Sequence, residues 1–61
     1  FARSLFVAQD MRSGDLITED NIRSVRPADG LSPKYLPYIL GRRVKCDISK
    51  GEPFKMEYLM D

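Results

Sequence analysis

From position 4 to position 8 the apolar side chains alternate, with Leu5 and Val7 on one face and Phe6 on the other, the two-residue period of a short strand. A mostly polar stretch follows, Gln9-Asp10-Met11-Arg12-Ser13-Gly14-Asp15, in which Gly14 stands where a turn needs a positive φ that residues with a Cβ resist. Leu16-Ile17 then re-enters the core. Thr18-Glu19-Asp20-Asn21-Ile22 predicts one capped helical turn, because the Thr18 hydroxyl can accept a backbone N–H two or three residues on and the acidic pair suits the positive end of the turn.

The same succession of apolar and polar positions returns from Val44 onward. Residues 7–22 lie over residues 44–59 without a gap, at an offset of 37 residues from Val7 to Val44. Val7/Val44, Asp10/Asp47 and Gly14/Gly51 are identical pairs, while Met11/Ile48, Asp15/Glu52, Ile17/Phe54, Asp20/Glu57 and Ile22/Leu59 keep size or charge. In the second copy Lys55 replaces the capping Thr18, so that turn is expected to be less well capped. A stacked solenoid needs roughly three or more repeats. Two copies predict instead one small domain over residues 1–61, built of similar halves packed face to face.

Between the copies, Ser24-Val25-Arg26 is expected to be extended, because Pro27 pushes the residue before it out of the helical region. Ala28-Asp29-Gly30 reads as a tight bend. Ser32 followed by Pro33 is an N-cap with proline at the first helical position, and Gly41 stands at the far end as a C-cap, so residues 33–40 are the one helix candidate. Pro37 within it predicts an irregular, partly 3₁₀ course.

Composition narrows the class. A chain of about 60 residues buries only roughly 60% of its unfolded surface. The single Cys46 cannot form an internal disulfide, and the absence of His removes the usual Cys/His zinc sites, so packing alone must hold the fold. Leu5, Val7, Met11, Leu16, Ile17, Ile22, Val25, Leu31, Leu36, Ile39, Leu40, Val44, Ile48, Phe54, Leu59 and Met60 form the candidate core. Ten basic and nine acidic residues interleave to a net charge of +1, without the basic stripe that nucleic acid requires. No apolar run approaches a membrane span or a signal-peptide core. The lone cysteine points to a reducing cytoplasm, and the opening Phe1 in place of Met points to a piece of something longer.

No catalytic constellation can be assembled from these residues. There is no imidazole to act as a base near neutral pH, and Cys46 has neither a partner acid nor a base to activate it in the way a nucleophile requires. Asp10 with Asp15 and Asp47 with Glu52 are paired carboxylates, but they recur in both halves in the same turn context, which predicts that Asp10 and Asp47 brace their own turns through local bonds to the backbone. What breaks the repeat is more informative, since a residue needed only for folding tends to appear in both copies. Arg26-Pro27-Ala28-Asp29-Gly30 has no counterpart. It sets a planar guanidinium with five donors on a proline-fixed loop, suited to carbonyl or carboxylate oxygens of a ligand, which makes Arg26 the candidate binding residue. Arg23 and the pair Arg42-Arg43 read as solvated surface, and Tyr35 and Tyr38 either complete the core or meet another domain.

Ser4-Leu5-Phe6-Val7-Ala8, the turn Ser13-Gly14-Asp15, Thr18-Glu19-Asp20-Asn21-Ile22-Arg23-Ser24-Val25-Arg26-Pro27, Gly30-Leu31-Ser32-Pro33-Lys34-Tyr35-Leu36 and Leu40-Gly41 together resemble the SAF, or antifreeze-like, domain. This domain ends N-acetylneuraminate (sialic acid) synthases and their pseudaminic, legionaminic and spore-coat polysaccharide relatives. Ala28, where the family commonly has glycine, and Pro37 depart from the pattern. The resemblance implies a mainly β protein with short helical turns, a β-clip or pretzel fold with internal pseudo-twofold symmetry. It further implies a parent enzyme whose (β/α)₈ barrel condenses phosphoenolpyruvate with an N-acetylated hexosamine using a divalent metal, Mn or Mg, held outside this chain. In such enzymes the domain covers the barrel of a second subunit in a swapped homodimer, and the arginine of its Arg-Pro motif, here Arg26, reaches the N-acetyl group of the amino-sugar. A stand-alone ice-binding protein of the type III antifreeze kind is the alternative, against which Arg12, Asp15, Glu19 and Asp20 weigh because ice favours a flat, rather apolar face. A SAF module of a flagellar-assembly chaperone or a sugar-acid dehydratase is the third reading, and the run from Arg26-Pro27 to Pro33 weighs against it.

Overall fold

Strand β1 (Ser4–Val7) pairs antiparallel with β2 (Ile22–Val25), placing Ser4 opposite Val25 and Val7 opposite Ile22. The computed structural model describes residues 2–60. The expected alternation holds, since Leu5 and Val7 are buried while Phe6 is half-buried. Beyond this pair, isolated bridges carry the rest of the β structure: Phe6 with Pro53, Met11 with Ile48, Leu16 with Arg43 and Val44 with Leu59.

Those bridges obey the repeat. The Phe6–Pro53 bridge becomes Leu16–Arg43 when the two copies are exchanged, and the Val7–Ile22 pair becomes Val44–Leu59. Single hydrogen bonds follow the same rule. Val7 N donates to Glu52 O at 2.8 Å and Val44 N to Asp15 O at 3.1 Å; Gly51 N donates to Val7 O at 2.8 Å and Gly14 N to Val44 O at 2.7 Å. Met11 and Ile48, which occupy the same place in the two copies, exchange two bonds of 2.8 Å. Each half therefore completes its backbone pairing with the other half. Gly14 and Gly51 both have φ of +94°, the left-handed conformation their turns require.

The capped turn after Ile17 forms as the sequence predicts. Thr18 Oγ1 accepts the Asp20 N–H at 3.2 Å, and Asn21 Oδ1 reaches back to the Thr18 N–H at 2.9 Å, the reciprocal arrangement of a capping box. Its counterpart is a 3₁₀ turn (Met56–Tyr58) preceded by Lys55, which supplies no side-chain cap. The helix candidate splits into a 3₁₀ turn (Pro33–Tyr35) and α1 (Leu36–Ile39). That division places Pro37 in the first turn of α1, where a missing N–H leaves no intrahelical bond unmade. Ser32 holds the N-cap position, but its side chain makes no capping bond. Leu40 and Gly41 (φ +83°) then form a tight turn closed by Arg42 N donating to Ile39 O at 3.0 Å.

One core joins the halves. Leu5, Val7, Met11, Ile17, Ile22, Ile39, Val44, Ile48, Phe54 and Leu59 are buried, with Leu31, Leu36, Leu40, Cys46 and Tyr58 packed against them. Phe54 and Tyr58 meet edge to face at 5.7 Å. Three expected core residues lie outside: Leu16, Val25 and Met60 are 44%, 37% and 37% exposed. The strand period explains Leu16, because its neighbour Ile17 points inward and successive side chains alternate.

Candidate functional site

Arg26 follows β2 directly and begins the loop that crosses back over β1. The Arg26–Pro27 peptide is cis, and residues 25–29 are exposed. Both ends of the loop are tied to one buried hydroxyl. Ser4 Oγ donates to Pro27 O at 2.6 Å and accepts the Gly30 N–H at 3.0 Å, and Ser4 is fully buried. Immediately afterwards Leu31 N donates to Phe54 O and Leu5 N to Leu31 O, each at 2.8 Å, so the chain is stitched into the core.

Gly30 fits there because nothing larger does. A Cβ at this position would stand 2.5 Å from Leu5 O and 2.9 Å from Phe54 O. Close approach of three backbones thus fixes the end of the loop, while Ser4 fixes its start. Arg3 Nη1 donates to Ser24 O at 2.9 Å and adds a tie on the strand that leads in. The result is an exposed arginine on a short loop anchored by buried groups, the presentation that preorganised ligand recognition requires.

The other candidates separate. Arg43 is not merely solvated, because its Nη1 donates to Gly14 O at 2.6 Å. Arg42 lies over the Tyr38 ring at 4.9 Å, and Lys34 over Tyr35 at 5.3 Å. Tyr35 and Tyr38 do not complete the core, being 38% and 59% exposed, and with these cations they form an aromatic and basic patch. Cys46 is half-buried against the core.

Asp10 and Asp47 differ from expectation in an instructive way. Their partners are not local: Asp10 Oδ1 accepts the Lys50 N–H and Asp47 Oδ1 the Ser13 N–H, so each braces the turn of the opposite copy. The local bonds belong to Asp15, which accepts Arg12 N–H at 2.9 Å, and Glu52, which accepts Ser49 N–H at 2.7 Å. Asp10, Met11 and Arg12 face Asp47, Ile48 and Ser49, their equivalents in the other copy, around a hollow of about 180 Å³. Both of its aspartates are already engaged with backbone. Among the described residues no cluster of three or more His, Cys, Asp or Glu is arranged to hold a metal ion.

A larger groove of about 420 Å³ runs between β1, β2 and the second-copy turn, lined by Phe6, Val7, Ala8, Arg23, Val25, Lys50 and Gly51. Sequence reasoning missed this groove and the anchoring role of Ser4. A serine at the head of a strand carries no mark of burial, although its opposition to Val25 places it one residue from the Arg-Pro motif. Among the described residues no helix is long and apolar enough to cross a membrane.

Comparison with known proteins gives concordant matches. The profile of the SAF domain covers residues 2–60. Pseudaminic acid synthase of Campylobacter jejuni is 42% identical over 55 residues, which is 90% of this chain and 16% of that protein. Pseudaminic acid synthase of Helicobacter pylori is 40% identical over 57 residues, covering 93% of this chain and 17% of that protein. Among solved structures, the spore coat polysaccharide biosynthesis protein SpsE of Bacillus subtilis superposes with a TM-score of 0.89 at 27% identity, over all of this chain and 18% of that one. The chain thus spans less than a fifth of the length of the proteins it matches.

Proposed function

This chain belongs to the SAF domain family, and on that premise we propose that it is the C-terminal substrate-capping and dimerisation domain of a sialic acid synthase-like enzyme. The names of its relatives, pseudaminic acid synthases and a spore-coat polysaccharide protein, support a role in making acidic sugars. In this reading the fold is a β-clip, and a (β/α)₈ barrel elsewhere in the polypeptide condenses phosphoenolpyruvate with an N-acetylated hexosamine. A divalent metal, Mn or Mg, belongs to that barrel and takes no ligand from this chain. The setting is cytoplasmic.

Arg26 is the residue of this chain that meets the sugar, and it does so in the barrel of a second subunit within a swapped homodimer. The observation that carries the reading is the anchoring of its loop by buried Ser4 and by Gly30 while Arg26 itself stays exposed. A planar guanidinium held that way orients an N-acetyl carbonyl and excludes water, without taking part in bond making. The exposed charges Arg12, Asp15, Glu19 and Asp20 continue to weigh against ice binding. Kinetics of the synthase carrying Arg26→Ala test the assignment: a loss confined to the amino-sugar supports it, and unchanged kinetics at limiting and saturating sugar remove Arg26 from the site.

A further inference from the structure

We propose that the groove between β1, β2 and the Lys50-Gly51 turn docks an acidic, apolar segment of polypeptide. Its apolar walls are Phe6, Ala8 and Val25, and its cations are Arg23 and Lys50. The register places Phe6 opposite Arg23 and Ser4 opposite Val25, so Phe6, Arg23 and Val25 share one face of the sheet. Arg23 and Lys50 are exposed, and neither side chain makes a hydrogen bond or ion pair among the described residues. Val25, adjoining Arg26, is 37% exposed although it is apolar.

The internal repeat shows what the fold needs at this corner. Exchanging the copies converts Phe6 to Arg43, Arg23 to Met60, Lys50 to Ser13 and Gly51 to Gly14. In the second half the corner is closed by its own side chains, with Arg43 donating to Gly14 O at 2.6 Å and Ser13 Oγ to Lys45 O at 3.1 Å. The backbone frame is the same in both, as the bonds from Gly51 to Val7 and from Gly14 to Val44 attest. Folding therefore does not demand an aromatic wall and two cations in the first half. Those groups are additions to a common frame, and they line a groove at the place where, in the other half, Arg43 and Ser13 bond across to backbone carbonyls.

Their chemistry selects the occupant. Apolar walls favour an aliphatic or aromatic side chain leaving water, two cations that bond to none of the described residues favour flanking carboxylates, and a basic segment is repelled. The groove lies along strands on an open face and has room for one or two side chains, which suits a strip of polypeptide. We assign the strip to the part of the synthase polypeptide outside this chain, since the curated relatives extend over 80% of their length beyond the matched region. That source rests on the synthase reading; the chemistry of the groove does not.

Two measurements separate these. The first titrates the ¹⁵N-labelled 61-residue chain with acetyl-Asp-Leu-Phe-Glu-amide, acetyl-Lys-Leu-Phe-Lys-amide and sodium acetate. The acidic peptide is expected to shift the amides of Phe6, Ala8, Arg23, Val25 and Gly51, the basic one to leave them unmoved. The double variant Arg23→Glu/Lys50→Glu should weaken the acidic peptide by about tenfold and admit the basic one, with the remaining spectrum unchanged. Equal response to both peptides, full reproduction by acetate, or no response at the groove overturns the proposal. The second measures acetic anhydride labelling of Lys50 relative to exposed Lys55, in the isolated chain and in the longer synthase polypeptide. Protection of Lys50 by about tenfold, released by Arg23→Glu, supports the assigned source, and equal labelling overturns it. Protection in a polypeptide that condenses no sugar would remove the synthase reading and keep the docking surface.

Discussion

Asp10 Oδ1 accepts the backbone N–H of Lys50 at 2.7 Å across 40 residues of sequence, and the repeat supplies the mirror bond from Ser13 N–H to Asp47 Oδ1 at 2.9 Å. Such long-range ties close the two halves on each other, where local ones would merely shape a turn. Asp10→Ala and Asp47→Ala are each expected to cost about 0.5–1.5 kcal/mol, the net value of a hydrogen bond at the surface. Urea unfolding of the two variants should give similar losses. A neutral result for both would show that the carboxylates leave folding unaffected.

Two kinds of glycine should answer differently to alanine. Gly51, with φ of +94° and open space where a methyl would stand, is expected to lose about 1 kcal/mol from backbone strain alone. Gly14→Ala should match it. Gly30→Ala faces two carbonyl oxygens at 2.5 and 2.9 Å and must displace backbone, so its loss should exceed that of Gly51→Ala and reach about 1–3 kcal/mol. Thermal unfolding that ranks Gly30→Ala as the milder change contradicts this assignment.

Ser4→Ala removes the acceptor of the Gly30 N–H and the donor to Pro27 O, two partly buried bonds made by a fully buried side chain. The expected loss is about 1–3 kcal/mol, because two backbone groups are left without their partner. Amide exchange at Gly30 should accelerate beyond what the global loss accounts for. Exchange that rises uniformly over the chain would mean that Ser4 supports the core and not the loop.

These variants also mark where sequence is informative. The turns were legible because Gly14 and Gly51 occupy equivalent places and positive φ has few other tenants. The division of residues 33–40 was legible because proline acts through its own backbone. The hydroxyl of Ser4 was not, since burial at a strand end depends on which loop crosses above it. Asp10 and Asp47 show the same limit: a carboxylate beside a turn suggests a local bond, and the sequence carries no signal that the opposite copy presents its amide instead. Leu16 and Val25 are apolar yet exposed because the core has only one side to offer each strand.

The isolated chain should be catalytically silent. In the proposed function the condensation belongs to the barrel, so incubation of this chain with phosphoenolpyruvate and N-acetylmannosamine is expected to release no phosphate above background. Enzyme-level turnover by the pure chain would require a site that the loop around Arg26 does not supply.

Arg26 is the residue on which the proposed function turns. In the synthase, Arg26→Ala should lower kcat/KM for the amino-sugar by about ten- to a hundredfold, since a charge-assisted hydrogen bond to a ligand is worth about 1.5–3 kcal/mol. Stability should fall by no more than about 1 kcal/mol, the scale of an exposed side-chain interaction, because Arg26 is exposed and its loop is held by Ser4, Gly30 and Leu31 through groups the substitution leaves in place. Arg26→Lys should recover part of the loss, as an ammonium keeps the charge and forfeits the planar fork. Subunit exchange decides whose sugar it serves. Mixing the Arg26→Ala enzyme with a partner inactivated in its barrel restores activity if the arginine acts across the dimer, because one hybrid site then combines an intact barrel with an intact arginine. If the mixture stays at the level of its components while the unmixed wild type is active, Arg26 acts within its own subunit, and the swapped arrangement has to be abandoned.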